Sequence, residues 1–351
     1  MFNGMSIPLL GIVFAAAGAV VWVASTHLSA STDLLADRLH LGEALAGLLL
    51  LAVVEDLPEV VIVVFGSLSG HLSLVTGNLL GGIAAQTVLL VAVDAVGVAD
   101  RPLTYRAASV QMVLVGLQGL VVFALAIMAT QLPASLHRFR LEPGGVVIVL
   151  AWLATTWLLA KAAHGLPWRR EDRDPLPPDV EKALRERKAA DRRAGTVRTV
   201  AVFSVSALAI LAGGYVLEES GNQLAGGVGL SGIVFGGTIL AMATALPEFV
   251  TGYTAARRGD FELAVSEVFG SNTFLPTLFL LAALLSGQAV LAQAGKSEIF
   301  LTGLGMLLTT IYLWGLLFPP SRQYRRIGPD SIVVLLAYLI GIAGLIAVAR
   351  S

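Results

Sequence analysis

The chain has no cysteine, which excludes disulfides, thiolate catalysis and any Cys-ligated metal or cluster. Charge is scarce as well. Asp, Glu, Lys and Arg make up 13% of the 351 residues, about half the share of an ordinary soluble domain. The net charge of -1 points to no polyanionic partner. The one dense basic stretch is interleaved with acids, so no nucleic-acid partner is expected. Histidine is rare: His27, His40, His71, His137 and His164 all lie away from the centres of the apolar segments. With no His-Glu-x-x-His string, an intramembrane metallohydrolase would lack its ligand set. Met1 to Ile7 carries no Lys or Arg of the kind that precedes a signal peptide's apolar core, so residues 7–25 are expected to remain as a first span.

What is present is apolar: 56% of the residues are hydrophobic and the mean hydropathy is +0.82. Runs of about 20 apolar residues are long enough to cross a bilayer as helices. Ten such segments lie near 5–25, 41–68, 72–98, 107–131, 144–163, 197–217, 230–256, 261–287, 297–318 and 330–349. The expectation is an all-α integral membrane protein whose partners are the lipid bilayer and inorganic cations. Nothing in the sequence sets an oligomeric state or asks for a resident cofactor.

The chain also repeats itself at an offset of 189 residues. Leu57-Pro58-Glu59 returns as Leu246-Pro247-Glu248, and Gly47, Gly70, Gly81 and Leu89 fall on Gly236, Gly259, Gly270 and Leu278. Five apolar segments precede the polar stretch 164–196 and five follow it. This divides the chain into a first repeat (1–163), a linker (164–196) and a second repeat (197–351). An odd number of spans per repeat makes the second enter from the opposite side, the pattern of an inverted repeat. Placing both termini outside puts 19 of the 23 basic residues on the inner side. The positive-inside rule favours that orientation, with 164–196 cytoplasmic and the protein in the plasma (inner) membrane.

Each repeat carries a Pro-Glu pair inside an apolar segment. Proline has no N–H and frees a backbone carbonyl. In hydrocarbon such groups persist only where they are buried in protein or line a cavity. A freed carbonyl beside a carboxylate suits a hard cation such as Ca²⁺, Mg²⁺ or Na⁺, and an intramembrane carboxylate marks a site by default. Glu59 and Glu248 are the leading candidates. Glu55 and Asp56 lie within one helical turn of Glu59. Three carboxylates so close repel one another, so one is expected to take up a proton when no cation is bound and to release it when a cation enters. Downstream of each pair lies a glycine-bearing stretch, Gly77 to Ile83 and Ser266 to Asn272. Here Asn78, Ser271 and Asn272 offer neutral oxygens. Asp94 has no acidic mate, since Ala283 stands 189 residues on, and is expected near the cytoplasmic end of its span.

These paired strings resemble the calcium/cation antiporter superfamily, which includes the sodium/calcium and proton/calcium exchangers. In sodium/calcium exchangers the two parts of each repeat commonly read Gly-Thr-Ser-Leu-Pro-Glu and Gly-Asn-x-x-Gly-Ser-Asn. The resemblance covers nearly the whole chain. It implies ten helices in two inverted repeats of five, with the first and sixth spans as the moving pair. It also implies alternating access at a midplane site that exchanges Ca²⁺ or a similar cation against H⁺ or Na⁺. Carried over residue by residue, Glu59 and Glu248 fall on the two central cation-binding glutamates, Thr244 on a binding threonine and Ser271 on a binding serine. Asn78 matches its position, whereas Glu267 stands at the mirrored one. The chain departs elsewhere: Glu55-Asp56 replaces Thr-Ser, Ala245 replaces Ser, Gly82-Ile83 replaces Ser-Asn, and Gln86 and Leu275 occupy later Asn/Asp positions. Hydroxyls are lost and acids gained, which favours proton over sodium coupling. A passive cation channel is the alternative, and an intramembrane enzyme a more distant one.

Overall fold

The computed structural model describes residues 2, 4–39, 53–98, 101–162, 195–324 and 326–351. Among them the chain is helical, with two isolated bridges as its only β pairing. Eight helices are long and apolar enough to cross a membrane, and a bent pair makes a ninth. In chain order these and the shorter helices are α1 (Ile7–Leu39), α2 (Leu57–Ser69), α3 (Leu72–Gly97), α4 (Leu103–Ala107), α5 (Val110–Thr130) and α6 (Pro143–Ala162). There follow α7 (Thr196–Gly227), α8 (Gly232–Thr244), α9 (Leu246–Arg257), α10 (Phe261–Ser286), α11 (Lys296–Leu317) and α12 (Pro329–Ala349). Of the expected segment 41–68, residues 41–52 lie outside the described set, as does the expected linker up to residue 194. The expected 197–217 segment is longer than anticipated, because α7 continues to Gly227.

The 189-residue offset carries into the helix boundaries. Leu57 and Leu246 open α2 and α9, Leu72 and Phe261 open α3 and α10, and Gly97 and Ser286 close them. After α10 the offset shortens to 186. Pro143 and Pro329 begin α6 and α12, and Val110 and Lys296 begin α5 and α11. The bridges Arg138↔Leu141 and Tyr324↔Ile327 are also 186 apart. So are Arg140 and Arg326, both in left-handed backbone (φ 63 and 71). Two copies of one local turn therefore precede α6 and α12.

Buried carboxylates anchor the connections. Asp94, near the end of α3, accepts the N–H groups of Leu103 and Gly328, each at 2.7 Å. Glu142 accepts those of Leu291 and Ala292 at 3.1 and 2.8 Å. Each ties a loop of one half to the other half. Charge-assisted bonds of this kind are about twice as strong as neutral ones. Asp94 is thereby committed to holding a loop.

The two most buried spans are α3 and α10. Around them, α1 and α7 pack along each other, α2 packs on α7, and α11 packs on α3, α5 and α12. The peripheral helices turn apolar faces outward: Val333, Leu336 and Ile340 on α12 and Leu150 on α6 are exposed. This is the surface a lipid-facing helix presents. Where α3 crosses α8 the backbones meet directly. A Cβ on Gly77 would press on Ile233, and one on Gly81 would overlap the backbone of Gly237. The Gly-x-x-x-Gly of the first copy is thus a close-packing face. Residues 236–240 of α8 form a π turn, a local widening often found at functional sites.

Candidate cation site

Both Pro-Glu pairs begin a helix rather than kink the middle of one. The chain breaks at Asp56 (φ -87, ψ 20) and at Ala245 (φ -81, ψ 0). Pro58 and Pro247 then sit in the first two positions of α2 and α9. There the missing N–H costs nothing and the fixed φ helps the helix start. Between α8 and α9 the break bends the axis by 42°. Proline chemistry therefore shows itself as a discontinuous helix. Each new helix carries its glutamate in the first turn, where unpaired N–H groups and the helix dipole favour negative charge.

The breaks bring together Asp56, Glu59 and Glu248. One carboxylate oxygen from each lies within 4.8 Å of the other two, and all three residues are buried. Ser271 on α10 donates its hydroxyl to Asp56 Oδ1. Thr244, the last residue of α8, donates to Asn78 Oδ1 on α3 at 3.3 Å. Both oxygens of Glu59, both of Glu248 and the Nδ2 of Asn78 are buried with no hydrogen-bond partner among the described residues. No described Lys or Arg forms an ion pair with any of the three acids.

Of the eight residues singled out in the sequence, Asp56, Glu59, Glu248 and Ser271 thus lie in one buried group, and Thr244, bonded to Asn78, stands beside Glu59. Glu55 and Glu267 do not join the three-carboxylate cluster. Both are half-buried, and Glu267 stands within electrostatic reach of Glu248. Two further polar groups stand out. Asn272 donates to Thr87 Oγ1 at 2.9 Å, and its Oδ1 has no partner among the described residues. Gln86 is fully buried, and neither amide atom has a partner among the described residues. Sequence reasoning noted Gln86 only as a departure from a pattern. An amide amid the apolar run of α3 was the available signal.

The energetics are one-sided. Removing a carboxylate from water costs several kcal/mol even after the protein relaxes, and here three are removed together. An arrangement of this kind is relieved by a cation or by protons. Four unpaired glutamate oxygens, backed by a hydroxyl and an amide, form an oxygen donor set of the type hard cations take.

The sodium/calcium exchanger protein family model matches residues 9–161 and 198–347. The chain belongs to this family. It is 25% identical over 342 residues to CaxA of Alkalimonas amylolytica, an antiporter candidate. The alignment spans 94% of this chain and 97% of that one. Among solved structures, native YfkE superposes with a TM-score of 0.65 at 14% identity, covering 97% of this chain and 96% of that one. The H⁺/Ca²⁺ exchanger CAX gives 0.59 at 15% identity, covering 99% and 90%. These structural likenesses speak to the fold. The family is one of membrane-embedded cation antiporters rather than enzymes.

Proposed function

We propose that the chain exchanges Ca²⁺, or a similar cation, against H⁺ or Na⁺ by alternating access, with Asp56, Glu59 and Glu248 as the core of the cation site. The observation that carries this reading is the buried carboxylate cluster. It is drawn from the broken helices of both repeats and has no basic partner among the described residues. Protons are the favoured counter-ion. An acid at Asp56 and an apolar Ala245 replace positions where sodium-coupled relatives carry hydroxyls, and a cluster of acids balances its charge by exchanging protons for a cation. Thr244, Ser271 and Asn78 would supply neutral oxygens, while Glu55 and Glu267 flank the path. The same reading takes residues 41–68 as a tenth span, making two inverted repeats of five. The paired α1 and α7 would move against the rest, in a plasma-membrane protein with both termini outside.

The test is transport by purified protein in liposomes, with ion and pH gradients varied independently. Saturable Ca²⁺ flux, accelerated by Ca²⁺ on the far side and accompanied by proton movement in sodium-free buffer, is expected. Non-saturating flux without trans-acceleration would make the protein a channel. An absolute need for sodium with no proton movement would leave the exchange reading and remove proton coupling. For orientation, Ala189→Cys in this cysteine-free chain should resist impermeant thiol reagents in right-side-out vesicles.

A further inference from the structure

A second cluster lies elsewhere in the fold and plays no part in the site above. It joins the corner between α2 and α3 to α7. Gly70 ends α2 in left-handed backbone (φ 79), and the next residue, His71, donates its N–H to Gly66 O at 2.8 Å. This sets the backbone at His71, whose imidazole Nδ1 lies 2.7 Å from Glu218 Oε1 on α7. Glu218 is fully buried, and its Oε2 has no partner among the described residues. The space it fills is kept by Gly66, where a Cβ would stand 3.3 Å from Glu218 Oε1. Glu219 adds a half-buried carboxylate, itself accepting from Gln223 Nε2 at 2.9 Å. One ligand atom from each of His71, Glu218 and Glu219 lies within 4.8 Å of the other two. From Glu59 to His71 the chain climbs about 18 Å along the helix at 1.5 Å per residue, so this cluster is separate from the carboxylate site.

We propose that His71, Glu218 and Glu219 form a second metal site, for a transition-metal ion such as Zn²⁺, that clamps the α2–α3 corner to α7. The donor set decides the class of ion. Ca²⁺ and Mg²⁺ take oxygen ligands, whereas one imidazole with two carboxylates suits Zn²⁺ and its neighbours. A tetrahedral ion with bonds of about 2.1 Å holds its ligand atoms about 3.4 Å apart. The His71–Glu218 pair, 2.7 Å apart, would therefore open slightly to admit the ion. His71, 23% exposed, leaves an approach from solvent and an open fourth position for water. The orphaned Oε2 of Glu218 independently points to a missing ligand, because a buried carboxylate oxygen without a partner is costly.

The experiment is calorimetric titration of tag-free protein in detergent with Zn²⁺, in excess Ca²⁺ so that oxygen sites are already competed for. One Zn²⁺ per chain is expected. His71→Ala and Glu218→Gln should each weaken it by at least the roughly ten- to hundredfold that losing even an outer partner of a metal ligand causes. Glu59→Gln should leave it unchanged. No saturable Zn²⁺ binding, or binding unaffected by His71→Ala in a monodisperse sample, overturns the site. Should His71→Ala fail to purify, His71→Gln serves, and retained tight binding there also overturns it. A second arm rests on the proposed exchange activity. Zn²⁺ added on the His71 side should slow Ca²⁺ flux in the parent and not in His71→Ala. If binding is seen without inhibition, the metal site stands and the clamp does not; if no Ca²⁺ flux exists at all, the exchange reading fails instead.

Discussion

The two broken helices are built alike and equipped differently. Asp56-Leu57-Pro58-Glu59 and Ala245-Leu246-Pro247-Glu248 share their turn geometry, their proline at the head of a helix and a first-turn glutamate. Around that frame the first half supplies an extra acid and the second supplies the hydroxyls. Ser271 of the second half serves Asp56 of the first, and Thr244 of the second serves Asn78 of the first. Each bond crosses between halves. The backbone thus keeps the repeat, while the side chains differ, and neither half holds the whole carboxylate cluster. Matching helix boundaries can therefore carry an asymmetric charge distribution.

The largest expected effect comes from the one feature the halves hold in common. Glu59→Gln and Glu248→Gln should each abolish cation exchange in liposomes while the protein still elutes as a monodisperse species. Breaking a buried charge arrangement from one side costs roughly 3–5 kcal/mol, more than a hundredfold in affinity. Near-normal exchange in either variant would show that the shared glutamates do not form the site. Next comes the feature that separates the halves. Asp56→Ser should reduce sodium-free Ca²⁺ exchange about tenfold, or about 1.4 kcal/mol, and remove most of the accompanying proton movement. Unchanged proton movement would place the coupling group elsewhere. The smallest effect contrasts neighbouring glycines on α3. Gly81→Ala sets a methyl against the Gly237 backbone and should cost about 1–3 kcal/mol, read as a lowered Tm. Gly82→Ser, at the position that Ser271 occupies in the second copy, meets only the Leu275 Cδ1 at 3.2 Å. It should be tolerated within about 1 kcal/mol. Equal losses in the two variants would mean that the packing contrast is wrong.

Much of the architecture is legible in the sequence. The 189-residue offset, the apolar runs and the paired Pro-Glu strings together located most helices and the two central acids, because hydrophobic length and proline chemistry are local properties. What was not legible depended on partners distant in sequence. Proline announces a freed backbone carbonyl, yet it does not say that the chain restarts a helix at Asp56 and Ala245. The shift of offset to 186 is absorbed between α10 and α11, where no periodic signal exists. Glu142 looks like an ordinary loop acid until Leu291 and Ala292 arrive beside it. Glu218 fell just past the expected end of its span, and its histidine lies 147 residues away.

The glycine contact between α3 and α8 has a mechanical side. Side chains yield by changing rotamer, so an interface lined with leucines can creep. Where Gly81 faces Gly237 there is no rotamer to change, and peptide planes bear on one another. Such a joint is stiff against compression. It works as a splint, setting the residues that follow Gly237 toward Thr244 in register with Asn78, whose Oδ1 accepts from Thr244.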